Sequence, residues 1–322
     1  MTNKNLQTTE YSICSVDYSL DNQWLALGTS NLTNSIWDGK IILFNDNADV
    51  KEKQYDVDSG ITGVQWLNND ILVFSTDDSR ISFININHSN QTTTPITITK
   101  TQDYIEDDFK NRGISQHLCC HSHIISSIDI FENKLLSSSW DKSIKLWDIN
   151  SSDETSLQLS NQFIHHYKKV NIVKWNRINR DLFASGSDNG VVVGDCRDKH
   201  SSVFNKETQI PVYSLAWATN NDYTLYTGHS NGQLIQYDIR NTTEIIKKPH
   251  SLAINQIHVN SKYISTVSDD RSSKVFDINN TDTLVYQYES NDFIKCITSK
   301  SDSTNQFITG SIDKKLVLHQ IN

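Results

Sequence analysis

Two groupings of side chains in this sequence have the types that do chemistry. The first joins His121, the hydroxyls of Ser137, Ser138 and Ser139, and Asp141, which together offer the nucleophile, base and orienting acid of a hydrolase. The second is Cys119, Cys120, His121, Ser122 and His123, mostly residues that bind zinc. A catalytic constellation, however, is built once at one site. Here it recurs, with His166 ahead of Asp188 and His250 ahead of Asp270. Such repetition points to architecture, a buried polar network in which each group satisfies another. In the cysteine–histidine run, neighbours in an extended segment point to opposite sides, so they do not converge on one ion. No G-x-x-x-x-G-K-[ST], G-x-G-x-x-G or H-E-x-x-H occurs. We expect no catalytic residue, no cofactor and no metal.

The elements that must position these residues are strands. In SSSWDKSIKLWDI, residues 137–149, hydroxyls end one strand, Asp141 and Lys142 turn the chain, and Ile144, Leu146 and Trp147-Asp148 mark the next strand. The turn Asp and the Asp seven residues later recur as Asp188 and Asp195, Asn231 and Asp238, and Asp270 and Asp277, with weaker copies at Asp78 and Asp313. Turn positions from 141 onward are 47, 43, 39 and 43 residues apart, the period of four-stranded propeller blades. His121, His166 and His250 each stand four residues before the first apolar residue of a unit. The expected fold is all-β: one seven-bladed propeller with blades near 11–58, 59–100, 121–162, 166–206, 209–248, 250–289 and 291–322. The seventh unit has only three strands of its own, so residues 1–10 are expected to close the ring as its fourth. Residues 87–116, rich in Asn and Thr with an acidic run, are expected to be an inserted polar loop.

Composition narrows the function classes. The net charge of −9 argues against a direct nucleic-acid binder and favours basic protein partners. No apolar run reaches the length of a membrane span, and MTNKNLQTTEYSI lacks the pattern of a secretory signal. Five scattered cysteines suit free thiols in a reducing compartment. One stretch breaks the blade pattern. Between the second and third strands of the first unit lies SNLTNSIWDG, residues 30–39, with Trp37 where a polar turn is expected. It either folds back on the propeller edge or serves as an exposed anchor, Trp being enriched among binding hot spots.

The set of His, turn Asp, strand-two hydroxyl and strand-three Trp resembles that of WD repeats, complete in the third unit as His121, Ser138 or a neighbouring Ser, Asp141 and Trp147. LGTSNLTNSIWDGKIILFND, SGITGVQWLNNDILVFSTDD, SSSWDKSIKLWDI, SLAW and the final VLHQ further resemble the WD-repeat subunit of the methylosome, the partner of the symmetric-dimethylating protein arginine methyltransferase. That resemblance implies a non-catalytic scaffold in the cytoplasm and nucleus. It docks on the methyltransferase and helps present basic substrates, such as histone tails and Sm proteins. It also implies that Trp37, flanked by Asn34, Asp38 and Gly39, inserts into the enzyme. The longer 87–116 segment, the shorter amino terminus and Asp38 after Trp37 depart from that family. A rival reading rests on Asp238-Ile239-Arg240, with a second copy at Asp195-Cys196-Arg197. These ends resemble the boxes by which WD-repeat substrate receptors dock, through Asp238 and Arg240, on the adaptor of a cullin-RING ubiquitin ligase.

Overall fold

The structure, a computed structural model, describes residues 2–33, 36–45, 48, 51–87, 115–150, 156–241 and 243–321. The described residues form strands, turns and bends arranged as seven four-stranded antiparallel sheets. After β1 (Thr2–Thr8), blade one is β2 (Ser12–Tyr18), β3 (Trp24–Thr33), β4 (Ile36–Asn45) and β5 (Lys51–Val57). Blade two is β6 (Ile61–Trp66), β7 (Ile71–Thr76), β8 (Arg80–Asn85) and β9 (Ser115–Cys119). Blade three is β10 (Ile125–Phe131), β11 (Lys134–Ser139), β12 (Ile144–Ile149) and β13 (Leu157–Phe163). Blade four is β14 (Val170–Trp175), β15 (Leu182–Ser187), β16 (Gly190–Asp195) and β17 (Asp198–Glu207). Blade five is β18 (Val212–Trp217), β19 (Thr224–His229), β20 (Leu234–Asp238) and β21 (Thr243–Lys247). Blade six is β22 (Ile254–Val259), β23 (Tyr263–Ser268), β24 (Ser272–Asp277) and β25 (Leu284–Glu289). Blade seven is β26 (Ile294–Thr298), β27 (Gln306–Ser311) and β28 (Lys315–Gln320), completed by β1.

The ring closes through the amino-terminal strand. β1 pairs antiparallel with β28 from Thr2 opposite Gln320 to Thr8 opposite Lys315. A side-chain clamp ties the closure to blade six: the Tyr286 hydroxyl bonds Asn3 of β1 and lies 2.7 Å from His319 Nδ1 of β28.

Burial follows strand order. The second strands of blades two, four, five and six are buried along their whole length because neighbouring blades cover both faces. That explains near-continuous apolar runs such as ILVFST. Between second and third strands, six blades place a non-glycine or glycine residue at positive φ: Ser79, Lys142, Gly190, Gly232, Arg271 and Lys314. Each follows an Asx residue, and in blades three, five and six that side chain accepts the N–H two residues on, at 2.9, 3.1 and 3.0 Å. The turn chemistry expected at Asp141 therefore recurs around the ring.

Two boundaries shift. The second unit does not end at 100: its outer strand is β9, so the inserted segment lies inside blade two, between β8 and β9. Ser115 and Gln116, expected in the loop, are strand residues that reach the edge of β8. Residues 88–114 of the inserted segment lie outside the described residues.

Candidate interaction surface

The recurring polar set is internal. In blade three His121 Nδ1 lies 2.8 Å from Asp141 Oδ2, and its Nε2 lies 2.7 Å from Ser137 Oγ. The Trp147 indole donates to the same Oγ at 2.9 Å. Burial pushes the His121 pKa down, opposed by Asp141. The Asp141 carboxyl, raised by burial, is held below its usual range by its bonds to His121 and Ser143. The hydroxyl in the set is Ser137, not Ser138. Side chains alternate across a strand, so Ser138 faces the other way, 3.0 Å from Ser126 Oγ. Of the cysteine–histidine run, His121 is engaged, Cys120 is buried and the His123 ring packs against Trp140, with centroids 5.6 Å apart. The Cys119 side chain lies outside the described residues.

Blade six repeats the arrangement with His250, Asp270 at 2.9 Å and Thr266 at 2.8 Å. In blade four His166 reaches Ser185 at 2.8 Å and Ser187 at 2.9 Å, and Ser187 donates to Asn189 at 2.7 Å. Asp188 is not the partner of His166. The blade-four turn is one residue shorter, with Ser187 pairing directly with Gly190, so Asn189 takes the position of Asp141. Asp188 instead accepts from Asn171 at 2.9 Å. Blade seven places His319 where blade three has Trp147, 2.7 Å from Thr309 Oγ1. Blades one and two have Leu27 and Phe74 at the position of Ser137, which is why neither shows the signature. The histidines and hydroxyls of these sets are buried between strands, where they brace the blades.

The surface is different. In each antiparallel blade, the turn between second and third strands lies on the same face as the link to the next blade's first strand. That face exposes Trp140, Tyr167, Leu252 and Phe293. From it rises the first-blade stretch, which is not a loop. β3 and β4 continue as a paired hairpin, with Ser30 opposite Gly39, Asn31 opposite Asp38, Leu32 opposite Trp37 and Thr33 opposite Ile36. Four pairs beyond Thr29 project about 13 Å at strand rise. Trp37 is 51% exposed and Leu32 directly opposite is 53% exposed, so the hairpin presents a two-residue apolar patch.

The flanking residues have other work. Asp38 accepts the Tyr11 hydroxyl and lies 3.5 Å from Asn31 Nδ2, and its bond raises the Tyr11 pKa. Lys40 pairs with Glu10 and sits 4.6 Å above the Tyr11 ring. Gly39 is packed where a Cβ would come within 2.6 Å of the Ser59 carbonyl. Asp38 and Gly39 therefore anchor the base of the hairpin, while Asn34 lies outside the described residues. Leu32 was the residue to find. Trp37 and Leu32 are symmetric about Asn34-Ser35, so reading that pair as a two-residue hairpin turn would have set them opposite each other.

The Asp-x-Arg ends are local forks. Arg240 donates from Nε and Nη2 to both oxygens of Asp238, at 3.0 and 2.7 Å, and its guanidinium lies 3.4 Å over the Tyr223 ring. Arg197 does the same with Asp195, at 2.9 and 2.6 Å.

Comparison with known proteins gives a match to the WD domain, G-beta repeat, over residues 113–148. The chain is 27% identical to the Ribosome biogenesis protein WDR12 homolog of Aedes aegypti, over 45% of this chain and 28% of that protein. It is 26% identical to Eukaryotic translation initiation factor 3 subunit I of Brugia malayi, over 51% of this chain and 54% of that protein. It is 31% identical to GATOR2 complex protein WDR59 of Gallus gallus, over 36% of this chain and 12% of that protein. The chain thus spans about half or less of the length of these relatives. Fold and likenesses together support the WD40 repeat family, and none of these three relatives is a methylosome subunit.

Proposed function

We propose that this WD-repeat propeller is a non-catalytic scaffold of a protein arginine methyltransferase complex, acting in the cytoplasm and nucleus. It docks on the enzyme through the tip of the β3–β4 hairpin. The observation that carries the reading is the exposed Leu32–Trp37 pair on a projecting hairpin whose base is clamped by Tyr11 and Glu10. A rigid aromatic anchor binds with little ordering cost, which is what makes Trp effective at the centre of an interface. The net charge of −9 suits the basic substrates such a complex presents.

The test is direct binding of the purified chain to a symmetric-dimethylating arginine methyltransferase. Trp37→Ala should weaken the complex by about 2 kcal/mol, close to thirtyfold, with Leu32→Ala smaller in the same direction. Arg240→Ala should leave it unchanged. If the wild-type chain does not bind the enzyme at all, the reading is wrong. The ligase-receptor alternative has less support, because Arg240 is held on its own blade by Asp238 through Nε and Nη2, leaving Nη1 for any adaptor. It returns if the chain binds a ubiquitin-ligase adaptor in a manner that Arg240→Ala abolishes.

A further inference from the structure

Each blade ends in an outer strand with one unpaired edge, and such edges invite another chain to add a strand. Six of the seven are irregular. The pairing of the third strand with the outer strand slips register in blades one, two, three, four, six and seven. Bulges of this kind twist an edge away from flat pairing. Several of these strands are also polar or charged, as in KEKQYDV of β5 and TNKNLQT of β1. β21 differs in its pairing. It pairs with β20 without a slip from Leu234 opposite Lys247 to Asp238 opposite Thr243. It also carries two adjacent isoleucines, Ile245 at 53% and Ile246 at 52% exposure, one on each face of the sheet.

Beside this edge, between blades five and six, runs a cleft of about 330 Å³ lined by Leu234, Pro249 and Phe276 together with Lys247, Lys248 and Asp282. Ile245 lies on the adjoining wall with Tyr226. Lys247 is paired with Asp282 at 2.6 Å, whereas Lys248 is exposed and bonded to no carboxylate among the described residues.

We propose that β21 is a docking edge for an extended, acidic and apolar segment of a partner protein, which adds to blade five as a fifth strand. Backbone hydrogen bonds to the free edge supply the affinity. Alternate apolar side chains pack on Ile245 and enter the cleft, and a carboxylate meets Lys248. A second copy of this chain fits less well. One five-residue edge buries too little for a stable dimer. This site is separate from the β3–β4 hairpin and does not depend on its role.

The probe is a fluorescent synthetic peptide alternating valine and glutamate, with a valine–lysine twin, titrated against the full chain by polarisation. The glutamate peptide should bind about tenfold or more tightly than its twin. Ile245→Lys should weaken it by about tenfold, and Lys248→Glu should narrow the gap between the two peptides. Bound peptide should slow amide exchange in Thr243–Lys247. Melting midpoints check that the variants are folded, and Lys248→Glu reads the same site without touching the strand's apolar residues. Trp37→Ala should leave peptide binding intact, which separates this edge from the methyltransferase reading. Equal affinity for both peptides, or slowed exchange elsewhere only, overturns the proposal. So does sedimentation showing a wild-type dimer that Ile246→Lys makes monomeric, since a second copy would then own the edge.

Discussion

In blade three the buried polar chain runs from Asp141 through His121 and Ser137 to Trp147. In blade four it runs from Asn189 through Ser187 and His166 to Ser185 and stops, because Gly194 stands opposite Phe183 where Trp147 stands opposite Leu135. The space is filled from the other side. A Cβ on Gly194 would meet the Phe183 ring at 2.6 Å, and the His165 ring stacks parallel to Phe183. The two blades show that the position to be occupied is fixed, while the residue that occupies it is exchangeable. Blade three braces its third strand with an indole hydrogen bond and blade four with aromatic packing. Blade seven shows a third solution, His319 reaching the same strand-two hydroxyl.

The sharpest break in that comparison is Trp147→Ala, which removes both packing and the donor to Ser137. It should cost about 3–5 kcal/mol in urea unfolding. Its counterpart, Gly194→Ala, should also destabilise, by about 1–3 kcal/mol, because Phe183 must move. If Gly194→Ala were neutral or stabilising, aromatic filling would not be what replaces the Trp. Next is the shared hydroxyl. Ser137→Ala strands two buried partners, His121 and Trp147, whereas Ser185→Ala strands only His166. The first should cost about 2–3 kcal/mol and the second about 1 kcal/mol. Equal losses would mean the indole bond contributes nothing.

A pH series sharpens the difference between the Asp and Asn versions. Burial, reinforced by His165, pushes His166 down to about 4, and Asn189 opposes this only weakly. The unfolded histidine titrates near 6.5, so it takes up its proton first. The stability that His166 contributes is therefore lost as pH falls from about 6.5 toward 4. Asn189→Asp sets a carboxylate beside the ring, raises the folded value and narrows that window. The variant should lose less stability than wild type between pH 7 and 5, read from urea midpoints. An identical loss in both would remove His166 from the account.

The smallest effect belongs outside the network. Trp37→Ala should shift stability by no more than about 0.5 kcal/mol, since its side chain is half exposed at the hairpin tip. A loss comparable with Trp147→Ala would show that Trp37 braces the fold and is not a free anchor.

The blades themselves were legible because three local signals agree in most of them: a second strand buried on both faces, a hydroxyl near its end, and an Asx turn. Where those signals were degenerate, the reading slipped by one residue. SSS offers three hydroxyls in a row, and only strand register separates Ser137 from Ser138. Asp188-Asn189 offers two turn residues, and only turn length shows that Asn189 faces His166. β9 was hidden because the long 88–114 segment separates it from β8, so no local pattern links SQHLC to its sheet. The hairpin was read as a loop because SNLTNSIWDG is polar on average, and its cross-strand pairing becomes visible only once Leu32 and Trp37 are set opposite each other. The corrected residues are thus ones whose role depends on register, a property of two strands and not of one.

The pairing of β1 with β28 also has a consequence in time. Thr2–Thr8 leave the ribosome well before their partners, Lys315–Gln320, which lie at the other end of the propeller's sequence. At ordinary translation speed the first strand waits on the order of 15–60 s without its mate. Six blades can form while the seventh stays open, so the nascent chain carries an unmatched edge until β28 has been made. Chaperones that shield such an edge have their opportunity in that interval.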